Sequence, residues 1–477
     1  MFYSLKKDCY FRKYGNIGYI VHSIYFIGEV VNESGTLFIE QLDYSLKSID
    51  EIVKKLLFVF DDVDERNLKN DIIEFYEYLY SVGYLNRCSN PNNFTEEIKD
   101  VSTITNEPIT KDVDVITNKT ISEFFADYAK NNPFLVTFHV ELTSKCNERC
   151  VHCYIPHETK NNEIDYDLLV DIIAQCRDMG VMNIVLSGGE PMLYPYFSDV
   201  LKKIKDYDMN VVVLSNLTLL DDKIIQTLQY KHTTCVNVSL YSMEAGIHES
   251  ITMLKGSFEK TKNNILKLID NNIPVRINCP IMKQNKDNFV EVMRWGYQHK
   301  CSVKVDYLMM AKKDGTLDNL SNRLSSQELR NVMKNIINND EDLQCKIRNG
   351  NKKISKPVCL DTQALCGVGL TTLSMDSQGN IYPCVGWQKC NCGNVKETAL
   401  KDIWEHSKEL NYLRKLRFGD FVECRNCEDV HYCAMCLSMN ANESKDGDVF
   451  DIPKITCEAA KIYHKVIEEY YKKIENK

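Results

Sequence analysis

The sequence predicts an α/β fold built on one parallel sheet, flanked by a small N-terminal strand–helix module and a cysteine-rich C-terminal domain. Three observations predict it. Between residues 134 and 310, six β-branched, nearly continuous apolar stretches alternate with helical ones. That is the pattern of β/α units whose strands are covered on both faces. Residues 1–86 carry short strand-like stretches and then two helical ones. Ten of the twenty cysteines lie beyond residue 355.

At roughly 150 residues per domain, 477 residues predict about three domains. The hydrophobic share of 44% and charged share of 26% are ordinary for a globular chain. A net charge of −9 argues against general affinity for nucleic acid or an anionic membrane. No apolar run reaches the ~18 residues of a membrane span, and "MFYSLKKDCYFRKYG" lacks the apolar region of a signal peptide, so a cytoplasmic location is expected. Twenty cysteines in a large chain of this kind point to metal or cluster ligation rather than to a disulfide framework.

In chain order, "NIGYIVHS" and "TLFIEQLD" read as short strands. "SIDEIVKKLLFVF" opens as a helix with Ser48 at the N-cap and Glu51 three residues on, a capping box. The following helix places Leu68, Ile72, Tyr76 and Leu79 on one face and ends at Gly83. Together these predict a winged-helix-like module over 1–86. Residues 87–133 read as a turn-rich linker with one short helix around "TISEFFADYAK". Strands are predicted at "FLVTFHVEL", "MNIVLSG", "NVVVLSN", "CVNVSLY", "PVRINCPIM" and "SVKVDYLMM", with helices such as "YDLLVDIIAQCRDMG" between them. A curved partial barrel and an open doubly wound sheet both satisfy this pattern. In either, ligands bind at the carboxyl ends of the strands. The core is taken as 134–345 and the cysteine-rich domain as 355–477.

The first of these strands runs into "CNERCVHCY", with Cys146, Cys150 and Cys153. Three thiolates in one loop suit a soft metal or an iron–sulfur cluster. Structural zinc wants four closed ligands, and His152 or His157 could supply the fourth, so zinc stays open on this loop alone. The second strand ends in "LSGGEP", where two glycines permit close backbone approach and Glu190 offers a carboxylate beside the cysteine loop.

These two motifs together resemble the radical S-adenosylmethionine (SAM) enzymes. Their CxxxCxΦC signature is matched by Cys146, Cys150, His152 and Cys153, and their GGE-Pro turn by Gly188, Gly189, Glu190 and Pro191. The resemblance implies a partial (β/α)6 barrel like a shortened TIM barrel. It implies a [4Fe–4S] cluster on the three cysteines, with the fourth iron left for the amino and carboxylate groups of S-adenosylmethionine. Reductive cleavage then yields a 5′-deoxyadenosyl radical that abstracts a substrate hydrogen. On the same pattern the GGE turn would hold the methionine amino group. Asn216 and Ser239 would approach its carboxylate or ribose, with Asn278 as a further candidate; ordinary capping of strand ends is the competing reading. The family's arginine about a dozen residues after the Ser239 position has no counterpart in "ITML", residues 251–254.

Beyond residue 355, "CGVGLTTLSMDSQGNIYPC" reads as a hairpin between Cys366 and Cys384, turning at "DSQGN". "CRNCEDVHYCAMC" and Cys457 follow. The CxxC pairs alone fit zinc ribbons. In combination with the barrel motifs, the segment resembles the SPASM extension of peptide-modifying radical enzymes, which carries two auxiliary [4Fe–4S] clusters. By that resemblance Cys359, Cys366, Cys384 and Cys436 hold one cluster, and Cys424, Cys427, Cys433 and Cys457 the other, making three clusters in all. The usual last CxxxC is CxxC here, at Cys433 and Cys436, and Cys390 and Cys392 are extra.

The module at 1–86 resembles the recognition element of maturases that act on ribosomally made peptides. It implies binding of a precursor's leader as an added edge strand. With 10 Lys and Arg against 14 Asp and Glu over residues 1–87, it lacks the charge of a DNA-binding winged helix. The expectation is a peptide maturase forming a cysteine thioether, with a ferredoxin or flavodoxin as electron donor. Carbon–carbon crosslinking, epimerisation, and formylglycine formation in a sulfatase are the competing enzyme readings, and a zinc-stabilised scaffold is the non-enzyme one.

Overall fold

A computed structural model describes residues 1–22, 27–60, 63–94, 133–156, 161–231, 234–348, 362 and 364–475. The expected helix around "TISEFFADYAK", most of the linker, His157 and Cys359 lie outside the described residues. The chain divides into two compact units. One takes Met1–Phe134 with Lys205–Asn210 and Tyr230–Thr233; the other takes the remainder from Leu135 to Lys477.

In the first unit, β1 (Phe2–Leu5), β5 (Lys47–Ser48) and β6 (Leu85–Cys88) form an antiparallel sheet in the order β5-β1-β6. β2 (Cys9–Tyr14), β3 (Ile17–His22) and β4 (Ile27–Val31) form a second, in the order β2-β3-β4. The helix Glu65–Ser81 buries Leu68, Ile72, Phe75, Tyr76 and Leu79, and Gly83 follows it with φ +89°, a left-handed stop. The helix Ile49–Leu56 adds Ile49, Ile52, Val53 and Leu56 to the same core.

Two local expectations fail here. "TLFIEQLD" is not a strand, because a helix runs over Glu33–Ile39. The Asn32 side chain accepts from the Gly35 amide at 2.9 Å and starts the helix, and Phe38 and Ile39 turn into the core. Ser48 does stand at an N-cap, but its side chain makes no capping bond. Ser48 ends β5 in register with Phe2, and the Ile49 amide goes to the Met1 carbonyl at 3.1 Å.

The second unit holds the six expected strands: β7 (Thr137–Thr143), β8 (Asn183–Gly188), β9 (Asn210–Ser215), β10 (Thr234–Ser239), β11 (Val275–Pro280) and β12 (Ser302–Asp306). All are parallel and lie in simple sequence order, β7 to β12. A doubly wound sheet would reverse its order at a switch point. Here every crossover steps the same way, so right-handed connections stack the helices on one face and the other becomes the lumen of a partial barrel. Phe138, Val140 and Leu142 are buried under the helices, and His139 and Glu141 alternate to the opposite face.

The C-terminal part continues this sheet. β13 (Thr372–Met375) pairs parallel with β7, then β14 (Asn380–Tyr382) and β15 (Gly393–Asn394) add antiparallel strands. The "DSQGN" turn forms as expected: the Asp376 carboxylate accepts from the Gln378 and Asn380 amides, and Gly379 takes φ +87°. The edge of the barrel at β7 is therefore closed by the cysteine-rich domain itself, which removes an open edge. Among the described residues no helix is long and apolar enough to cross a membrane.

Within the lumen Glu141 and Lys313 form a buried ion pair, Nζ to Oε2 at 2.7 Å, with side chains 4% and 6% exposed. Burial pushes the Glu141 carboxyl up and the Lys313 ammonium partly offsets this; the same two causes bring His139 down to about 4. Removing one partner leaves a buried charge unpaired. Lys313→Met is expected to cost about 3–5 kcal/mol in urea unfolding, and Glu141→Gln in the same chain to restore much of it.

Candidate active site

The cysteine loop leaves the carboxyl end of β7 and is tied down by backbone. The Arg149 and Val151 amides donate to the Thr252 and Ile251 carbonyls, each at 3.0 Å, and the Cys153 amide to the Cys150 carbonyl at 3.0 Å. The segment "ITML", which offers no arginine, thus buttresses the loop with its carbonyls. The Cys150 thiol donates to the Glu148 carboxylate at 3.3 Å. Burial, that carboxylate and the neighbouring Cys153 and Cys146 thiols push Cys150 well above the ordinary thiol range. The three thiols are therefore close enough to act on one another.

The GGE turn packs against the root of the cysteine loop. The Gly189 amide donates to the Thr143 carbonyl at 2.7 Å and the Glu190 amide to the Lys145 carbonyl at 2.8 Å. A Cβ on Gly189 would lie 2.1 Å from the Lys145 oxygen, and one on Gly188, at φ +135°, 2.1 Å from the Thr143 oxygen. The glycines let the turn press against the root of the cysteine loop. Since those obstacles are backbone, Gly189→Ala is expected to lower stability by more than about 3 kcal/mol and to displace the loop, read as a fall in melting temperature together with lost iron.

Glu190 is fully buried. It accepts from Ser215 Oγ at 2.8 Å, the Asn216 amide at 2.9 Å and the Met192 amide at 3.1 Å. Burial raises its carboxyl to about 7 against those bonds. Its carboxylate thus joins the ends of β8 and β9, and it acts as a positioning residue. The Asn216 side chain donates to Asn147 Oδ1 at 2.9 Å and accepts from the Thr218 amide and hydroxyl, and Asn147 donates to Thr218 Oγ1 at 2.7 Å. Ser239 and Asn278 stand side by side in register on β10 and β11, both half-buried on the lumen face.

His152 meets the Tyr241 ring edge-on at 5.1 Å, and its Nε2 lies 3.4 Å from the Tyr241 hydroxyl. Burial lowers it to about 4, so the ring is neutral. Its Nδ1 is buried with no hydrogen-bond partner. The ring packs against the Tyr241 ring.

In the C-terminal domain the cysteines fall into two groups. Burial raises Cys366 to about 11, and the Cys436 and Cys384 thiols add to it; Cys384 is raised by burial and by Cys436. Burial raises Cys424 to about 11 with Cys433, Cys457 and Cys427 beside it, and Cys457 is raised by burial and by Cys427. So Cys366, Cys384 and Cys436 come together, and Cys424, Cys427, Cys433 and Cys457 come together. The Cys392 thiol donates to the Cys390 carbonyl at 3.7 Å, and Cys390 packs in the same core cluster as Cys384, Cys424, Cys427 and Cys433.

Among the described residues no three His, Cys, Asp or Glu side chains converge tightly enough for a single metal ion. A cubane reaches its thiolates through separate irons, which asks for sulfurs farther apart than the ligands of one ion. The donor set fits that group: soft thiols in mutual reach, a glycine turn holding their loop, and the orphaned Nδ1 of His152 beside them.

The family comparisons decide the class. Residues 140–296 match the model of the radical SAM superfamily, and 366–428 match SPASM, described as an iron–sulfur cluster-binding domain. The chain carries a radical SAM domain followed by a SPASM domain. Those domains take S-adenosylmethionine and iron–sulfur clusters. Among the curated relatives of this chain is the AdoMet-dependent heme synthase of Methanosarcina barkeri. It is 25% identical over 64% of this chain and 91% of the relative. The antilisterial bacteriocin subtilosin biosynthesis protein AlbA of Bacillus subtilis is 23% identical over 66% of this chain and 70% of the relative. Among solved structures, Streptococcus suis SuiB bound to precursor peptide SuiA aligns over 96% of this chain and all of SuiB, with TM-score 0.63 and 14% identity. Native anSMEcpe with bound AdoMet and Kp18Cys peptide covers 72% of this chain and 99% of that one, with TM-score 0.56 and 16% identity.

Sequence reasoning about this chain missed Asn147, Thr218, Tyr241 and the pair Glu141–Lys313. Asn147 carried a signal, since a polar residue between two cluster cysteines can reach the next strand end. Lys313 carried none; its partner is 172 residues away.

Proposed function

We propose that this chain is a maturase of ribosomally made peptides, which binds a precursor's leader through residues 1–86 and installs a crosslink in the core peptide, a cysteine thioether. Three [4Fe–4S] clusters serve it. Cys146, Cys150 and Cys153 hold the first, Cys359, Cys366, Cys384 and Cys436 the second, and Cys424, Cys427, Cys433 and Cys457 the third. With S-adenosylmethionine bound, the first cluster would supply 5′-deoxyadenosyl radical chemistry. The chain's own residues do the rest: the Gly188–Glu190 turn fixes the cysteine loop and receives the methionine amino group, His152 is the aromatic neighbour of the cluster site, and Asn216 and Ser239 approach the carboxylate or ribose, with Asn278 beside Ser239. The protein works in the cytoplasm with a ferredoxin or flavodoxin as donor. The observation that carries the reading is the likeness of nearly the whole chain, N-terminal unit included, to peptide-bound SuiB. The N-terminal unit has sheet edges at β2 and β4 for strand addition.

Co-expression with the neighbouring small open reading frame tests it. A product lighter by two hydrogens per crosslink supports the reading; an unchanged mass points to epimerisation or to another substrate. The likeness to anSMEcpe with a bound cysteine peptide favours a second reading, conversion of a cysteine or serine in a folded protein to formylglycine.

A further inference from the structure

We propose that His464 is a positioning residue for the third cysteine group: from the C-terminal helix it latches the loop that carries Cys427 and Cys433. This rests on the reading above that Cys424, Cys427, Cys433 and Cys457 hold one iron–sulfur cluster.

The loop is a string of tight turns. The Cys427 amide donates to the Cys424 carbonyl at 3.3 Å, the Val430 amide to the Cys427 carbonyl at 3.3 Å, and the Cys433 amide to the Val430 carbonyl at 3.2 Å. Each of these bonds is local to the loop, and its one helical turn, Val430–Tyr432, is three residues long. A stretch held only by short local bonds opens easily, so its thiols need an outside anchor.

One side chain supplies two anchoring contacts. His464 lies on the helix Lys454–Glu475. Its Nδ1 is 2.7 Å from Asp429 Oδ1, and since a carboxylate only accepts, Nδ1 carries the proton and donates it. Its ring stacks on the Tyr432 ring, with centroids 4.2 Å apart and planes 13° from parallel. The Tyr432 amide donates to the Asp429 carbonyl at 2.9 Å, so these two residues are the ends of one turn. His464 therefore grips that turn at both ends, beside Cys427 and Cys433. Nε2 faces Glu468 Oε1 at 3.6 Å, beyond hydrogen-bond length, so the Asp429 bond sets the ring's orientation.

The helix that carries the latch also carries a ligand. Cys457 precedes His464 by seven residues, about two turns, which puts both on one face. The helix is fixed in turn against the helix Ser326–Asn339. Ser326 Oγ donates to Glu458 Oε2 at 2.6 Å, and Lys334 Nζ pairs with Glu469 Oε2 at 3.0 Å. One braced element thus sets Cys457 and, through His464, the loop cysteines. His464 acts through the loop and is not itself a ligand.

The test follows iron release from the iron-loaded full chain to a ferrous chelator, without oxygen. In His464→Ala about a third of the iron is expected to leave about 10–100-fold faster than in wild type, and the rest at the wild-type rate. His464→Asn, whose amide can still donate to Asp429, should restore part of the slow release. Asp429→Ala should approach His464→Ala. Cys427→Ala should already lack that third of the iron, and adding His464→Ala to it should change nothing further. The latch is overturned, with the cluster reading intact, if His464→Ala releases iron at the wild-type rate, speeds release of all the iron, or lowers iron further in Cys427→Ala. If Cys427→Ala keeps its full iron, the cluster reading fails and the latch falls with it.

Discussion

Cys150→Ala is expected to yield a folded protein that has lost about a third of its iron and no longer cleaves S-adenosylmethionine. The loop survives because its backbone is held at Arg149, Val151 and Cys153 by carbonyls that the substitution does not touch. The cysteines at 366–457 lie in other elements, so the clusters proposed for them are expected to stay. Loss of a residue that merely orients a metal ligand costs 10–100-fold, so loss of the ligand itself should lower cleavage by more than about a hundredfold. Iron analysis and methionine release read the two effects separately. Retained cleavage would move the catalytic cluster elsewhere.

The second large effect is expected at Glu190. Its buried carboxylate accepts from one hydroxyl and two amides. In Glu190→Gln an amide N–H must face a donor, at a cost of about 1–3 kcal/mol; in Glu190→Ala three donors lose their acceptor and the cost rises above about 3 kcal/mol. The pH dependence has a definite sign. The folded carboxyl titrates at about 7, above its ordinary value of 4.5. Its contribution is fully present below the ordinary value and is lost as pH rises through about 7. The advantage of wild type over Glu190→Gln in denaturant unfolding should therefore shrink from about pH 5 to about pH 8. A constant gap would mean that Glu190 is ionised throughout.

The six barrel strands were legible because parallel strands covered on both faces read as continuous apolar runs, as "NIVLSG" and "NVVVLS" do. The choice between barrel and open sheet was not legible in the strands themselves, since it depends on strand order and not on any strand's composition; the resemblance carried by the cysteine and GGE motifs is what pointed to the partial barrel, and the strand order agrees. The helix at Glu33–Ile39 was misread because its apolar spacing also suits a short strand; the Asn32 cap decides for helix. In the site, the cysteines and the GGE turn announced themselves by type and spacing. The reason for the glycines did not, because it is the approach of a backbone more than forty residues away in sequence. The ion pair of Glu141 and Lys313 was equally hidden: each alone reads as an ordinary surface charge, and only the barrel brings them together.

The most direct measurement is hydrogen transfer from the precursor. The reduced, iron-loaded enzyme is given S-adenosylmethionine and a deuterated precursor peptide. The expected result is methionine together with 5′-deoxyadenosine carrying deuterium from the peptide, and a crosslinked product. Fully iron-loaded protein that leaves both S-adenosylmethionine and peptide unchanged would contradict it.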